Sequence, residues 1–124
     1  MPSGCDERVV SASTQTALLF PALFALMLVA MQWSLQLWAD ATALAAAQEG
    51  ARRAAEYAAT DDQGAAAARS ALGNGAVNDA RVVVHRTGAE VIAEVTGRPL
   101  SVVPLWQGTV SQTVHAQIER LTPP

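Results

Sequence analysis

The sequence predicts an α+β chain: a long N-terminal transmembrane helix that continues outside the membrane, a short second helix, and a small antiparallel sheet of about three strands. Three observations predict it. An uncharged apolar run fills most of the first third, strongly helix-forming alanine-rich sequence fills the middle, and period-two alternation fills the last third. The 124 residues suffice for one domain and little more. The expected division is an N-terminal leader or tail at 1–12, a transmembrane helix at 13–39, and an extracytoplasmic helix-plus-sheet domain at 40–124.

No charged residue lies between Arg8 and Asp40, and 17–31 is wholly apolar, 15 residues. Gln32, Ser34 and Gln36 then alternate with Trp33, Leu35 and Leu37, and Trp38 follows. Taken to Ala39 the run is 23 residues, about 35 Å of helix at 1.5 Å per residue. That crosses a hydrocarbon layer of about 30 Å. Trp33 and Trp38 fall near one end, where indole rings favour the membrane interface. A cleaved signal peptide and a soluble core helix are the alternatives. The first calls for a basic start and a small-x-small cleavage site, but "MPSGCDERVV" is acidic on balance and Leu28-Val29-Ala30 places a large residue at the site. The anchor reading is therefore preferred. Pro21 removes a backbone donor; it reads equally as a designed kink and as a proline tolerated near the first turns.

Residues 40–60, "DATALAAAQEGARRAAEYAAT", favour helix. The expectation is one continuous helix from about Ser13 to Ala59, about 70 Å long. Glu49 with Arg53, and Arg52 with Glu56, stand four apart and would support a solvated face. Ala43, Ala46, Ala47, Gly50 and Ala54 make a strip of small residues at helical spacing. It reads either as a close-approach surface or as general alanine enrichment. Asp61 or Asp62 is expected to cap the second helix, "QGAAAARSAL", which Gly73 closes.

In the last third "DARVVVHR" and "EVIAEVTG" flank Thr87-Gly88-Ala89, a tight hairpin. Ala80, Val82 and Val84 are expected on one face, and Val91, Ala93 and Val95 on the corresponding face of the second strand. After the proline-bearing "RPLSVVPLWQG", Val110, Val114, Ala116 and Ile118 alternate with polar residues in a third strand. The apolar face of this sheet needs a cover, and the alanine-rich helix is the nearest one.

Chemistry is thinly represented. Net charge is −3, which gives no electrostatic case for nucleic acid. Cys5 has no second cysteine to pair with and precedes the apolar run, so it reads as an incidental thiol. His85 and His115 lie at outward strand positions without a clearly placed carboxylate to complete a metal site. The paired aspartates are accounted for by helix capping, and "GNG" at 73–75 is a helix stop and turn, not a phosphate loop. No catalytic residue, metal, cofactor or small-molecule substrate is expected.

"SASTQTALLFP" before the apolar run, "AAAQEGARRAA" after it, and the tail "VTGRPLSVVPLWQGTVSQTVHAQIER" together resemble the TadE-like proteins, pseudopilin-type components of tight-adherence pilus systems, in their actinobacterial form. The most specific element is Gln48, Glu49, Gly50, Ala51 and Arg52, at a fixed distance beyond the anchor. The resemblance implies a pilin-like design: an N-terminus in the cytoplasm, one membrane helix, and a small domain outside. It implies as partners the membrane and other pilus or secretion-system subunits. Pilin-like relatives carry a glycine cleavage position and a glutamate five residues later. Aligned on Pro21, those positions hold Val10 and Gln15 here. Gln15 can hydrogen-bond but cannot neutralise a neighbouring subunit's terminal amine. Thr16, Leu19, Leu23 and Leu26 mark a helical face for partner helices. The expected function is an accessory or minor-pilin-like component of pilus assembly that acts by helix packing and domain docking. Its rivals are a stand-alone anchored binding domain and, with far less support, a membrane enzyme using the two histidines.

Overall fold

The computed structural model describes residues 3–118, with side chains from residue 14 onward. The readings of Cys5 and Val10 and most of the expected leader therefore lie outside the described side chains, and Glu119 and Arg120 lie outside the described residues. Two helices, α1 (Ser3–Ala55) and α2 (Asp61–Ala71), precede three strands, β1 (Val77–Arg86), β2 (Glu90–Pro99) and β3 (Val110–Gln117). This is the α+β, pilin-like arrangement that the alternating periods predict.

Helix α1 is continuous through Pro21. It ends at Ala55, not near Ala59. The reason lies in the connection. Ala58 adopts φ 61, a left-handed conformation that breaks the helical path, and the Arg86 guanidinium of β1 donates to the Ala59 carbonyl. Thr60 then starts α2 with a capping box. Its hydroxyl accepts from the Gln63 amide at 3.3 Å, and its own amide donates to the Gln63 side chain at 3.1 Å. The cap is thus Thr60, one residue before the expected aspartates. Asp61 and Asp62 occupy the first turn, where negative charge complements the helix dipole.

α2 runs back along α1, and two glycines set how closely they approach. A Cβ on Gly64 would lie 2.6 Å from the Ala54 Cβ and 2.8 Å from the Gly50 carbonyl. One on Gly50 would lie 2.9 Å from the Ala68 Cβ. Farther along, the Asn74 side-chain amide donates to the Thr42 hydroxyl at 3.3 Å while its oxygen accepts from the Ala76 amide at 3.0 Å. The turn after α2 is thereby fastened to α1.

The strands form one antiparallel sheet in the order β1-β2-β3. Thr87 closes the hairpin by exchanging hydrogen bonds with Glu90. Val84, Val91, Ala93, Val95 and Val110 face inward and pack on Ala39, Ala43, Ala46, Ala47, Ala51 and Ala54 of α1. The small-residue strip is therefore the seat of the sheet and of α2. Ala80 departs from the expected face. The pairing of β1 shifts between Asn78 and Arg81, with Asp79 at φ 51, and this irregularity turns Ala80 to solvent. Val82 and Val84 keep the inward face, half-buried and buried.

Candidate functional site

The chemistry-bearing surface of this fold is the bare first part of α1 and the collar where the domain begins to cover it. From 14 to 31 every side chain is exposed except Leu28, which is half-buried. Leu18, Leu19, Phe20, Leu23, Phe24, Leu26, Met27, Val29 and Met31 all stand open on this helix. The most apolar window of α1 is long and apolar enough to cross a membrane, and only 6% of it is buried within the protein. A helix of the soluble core would have its apolar residues covered.

Cover begins at Gln32, which is fully buried. Its amide nitrogen donates to the Leu100 carbonyl at 3.0 Å, and its oxygen accepts from the amides of Val102 at 2.8 Å and Val103 at 3.3 Å. One turn on, the Gln36 amide donates to the Thr109 carbonyl at 3.1 Å and to Asp40 at 3.4 Å. Two uncharged amides thus hold both ends of the β2–β3 loop, residues 100–109, against the helix. Gly108 permits this closeness, because any side chain there would collide with the Trp106 indole nitrogen and the Gln36 side-chain oxygen. By sequence alone these glutamines read as polar alternation in the tail of the span. The available signal was their spacing: 32, 36, 39, 43 and 46 form one helical stripe.

The remaining site residues fall as follows. Gln15, Thr16, Leu19, Leu23 and Leu26 are exposed on the bare segment, as is Pro21. Phe20, Leu23, Phe24 and Met27 line a shallow apolar groove beside that face. Trp33 and Trp38 are exposed just beyond it. In the Gln48–Arg52 element, Gly50 and Ala51 are buried at the crossing with α2 and in the core, whereas Gln48 and Arg52 face solvent. Glu49 pairs with Arg52 at 2.6 Å, three residues on, and Arg53 pairs with Glu56 at 2.5 Å. The 49–53 pairing expected from spacing gives way to these closer ones. The hydrogen bond and charge of Glu49 raise the Arg52 pKa above its already high ordinary value. Exposed as it is, the pair contributes little to stability. Arg52 loses its charge only in strongly alkaline solution, so this shift adds no pH dependence near neutrality. His85 and His115 stand on either side of Ile92 on the outer sheet face, and His115 Nδ1 lies 3.8 Å from Glu90. Among the described residues no three potential metal ligands come together.

Residues 11–52 match a family model described as TadE-like protein. The match makes this segment similar to TadE-like proteins over about a third of the chain. It spans the bare apolar helix, the Gln32 collar and the Gln48–Arg52 crossing, and it stops before α2 and the sheet. The similarity of the tail 95–120 thus lies outside it. No curated protein and no solved structure matches the chain. The TadE-like segment and the membrane-length helix together support an accessory role in pilus assembly, with membrane and protein partners.

Proposed function

We propose that this TadE-like chain is a single-pass membrane component of a tight-adherence pilus or secretion assembly, with its N-terminus cytoplasmic and its helix-plus-sheet domain outside, and that it acts as an accessory or minor-pilin-like subunit. The observation that carries the reading is the abrupt change of environment along one helix. α1 is bare and apolar through Met31, then buried in stripes from Gln32 onward. A membrane segment at 14–31 is about 27 Å long at 1.5 Å per residue, near the hydrocarbon thickness of about 30 Å. An end earlier than the 13–39 drawn from hydropathy is supported by the loop 100–109, which already occupies the helix at Gln32 and Gln36. Trp33 then sits at the boundary and Trp38 above it.

The subunit works without turnover. Thr16, Leu19, Leu23 and Leu26 present one face for helix packing in the membrane, and the outer sheet face meets partners outside. Cysteines placed at Leu19, Leu23 and Leu26, in a Cys5→Ser background, are expected to crosslink in cells to another pilus-assembly subunit. Absence of any such adduct, with the protein present in the membrane, contradicts the reading. The stand-alone anchored domain remains the second reading, favoured by Gln15 and Val10 at the two pilin positions. It predicts no adducts and no change in piliation on deletion.

A further inference from the structure

We propose that the β2–β3 loop, residues 100–109, is a membrane-resting foot whose apex, Pro104-Leu105-Trp106, enters the lipid interface beside the protein's own helix. The proposal rests on the membrane reading of α1. The Trp106 amide donates to the Val103 carbonyl at 3.3 Å, closing a four-residue turn with Pro104 second and Leu105 third. Leu105 has φ 66. A proline followed by a left-handed residue is the pattern of a type II turn, whose third position calls for glycine or asparagine. Leucine is strained there, and its side chain is 94% exposed. Folding in water gains nothing from either choice. A bulky apolar residue at a strained, protruding apex suits a surface that takes up apolar side chains.

The location names that surface. The foot hangs from Gln32, the first fully buried residue after the bare span. Leu28, one turn nearer the N-terminus on the same stripe, is the only half-buried side chain in 14–31, which marks how far the cover reaches. The foot is therefore level with the end of the apolar segment. No Asp, Glu, Lys or Arg occurs from 99 to 118. Val102 is exposed beside the apex, and Arg98 lines a cavity with Trp106, Gln107 and Thr109. Tryptophan at the water boundary with an arginine above it fits the headgroup layer. The occupant is thus the bilayer itself, continuous with the span.

Depth-dependent quenching tests the proposal on the full chain in vesicles of equal phosphatidylethanolamine and phosphatidylglycerol, with lipids brominated just below the headgroup. Trp33→Phe with Trp38→Phe leaves Trp106 as reporter; Trp38→Phe with Trp106→Phe leaves Trp33. Tyr57→Trp with all three native tryptophans changed to Phe serves as the distant reference. The expected result is Trp106 quenching within about twofold of Trp33 and well above the distant reference. Leu105→Asn, which suits the backbone and removes the apolar apex, is expected to lower Trp106 quenching at least about twofold. Quenching of Trp33 with Trp106 no different from the distant reference overturns the foot and leaves the anchor standing. Loss of quenching at both Trp33 and Trp106 overturns the anchor and the foot with it. Trp106 quenching unaffected by Leu105→Asn overturns the role of the apex.

Discussion

The Gln32 side chain makes three hydrogen bonds to the backbone at 100–103 while fully buried. Removing one partner from a buried hydrogen bond leaves the other unsatisfied, which is worth more than the bond itself. Gln32→Leu is therefore expected to destabilise the loop by about 2–3 kcal/mol. Amide hydrogen exchange at Val102 and Val103 checks this: protection there should fall in the variant while that of Val91 and Val95 holds. Gln32→Glu keeps the shape but offers no amide donor to Leu100, so it should behave nearly as badly. Equal protection in variant and parent would show that the loop is held by something else. The sequence disclosed the identity of Gln32 but not its task. An amide in an apolar run reads as a tapering span, and only the return of the chain some seventy residues later supplies its partners.

Among the elements, the crossing of α1 and α2 makes a sharp steric demand. Gly64 has the Ala54 Cβ and the Gly50 carbonyl within 2.8 Å of where its own Cβ would stand. Gly64→Ala forces the helices apart and is expected to lower stability by about 1–3 kcal/mol, despite the better helix propensity of alanine. Gly88→Ala, where nothing lies within 4 Å, should change thermal stability far less; comparable melting shifts for the two would contradict the close crossing. Thr60→Ala removes the capping box of α2 and should cost about 1 kcal/mol by the same measurement. At this scale much was legible. The hairpin, the third strand, the short second helix and the alanine strip all follow from period and turn residues. The helix end, the Thr60 cap and the β1 irregularity were not. Ala58 and Asp79 take left-handed conformations; alanine gives no sign of this, and aspartate, which tolerates the region better than most residues, gives only a weak one.

For the molecule as a whole, one rod of helix serves two environments. Its first part exposes large apolar side chains, and its second part, Gln32 apart, buries small ones beneath a sheet whose largest fully buried members are valines. Large side chains face outward toward lipid, and small ones let backbone approach backbone. The tight-adherence context rests on the TadE-like segment at 11–52, but the two-environment design stands on burial alone. The most direct test is a cysteine-accessibility scan in native membranes, in a Cys5→Ser background, with a membrane-impermeant maleimide. No labelling is expected at Phe20, Phe24 and Leu28, and rapid labelling at Tyr57, Asp62 and Thr87 from the outer side, with the change falling between Met31 and Trp38. Labelling of Phe20 and Phe24 as rapid as that of Tyr57 would contradict the two-environment design.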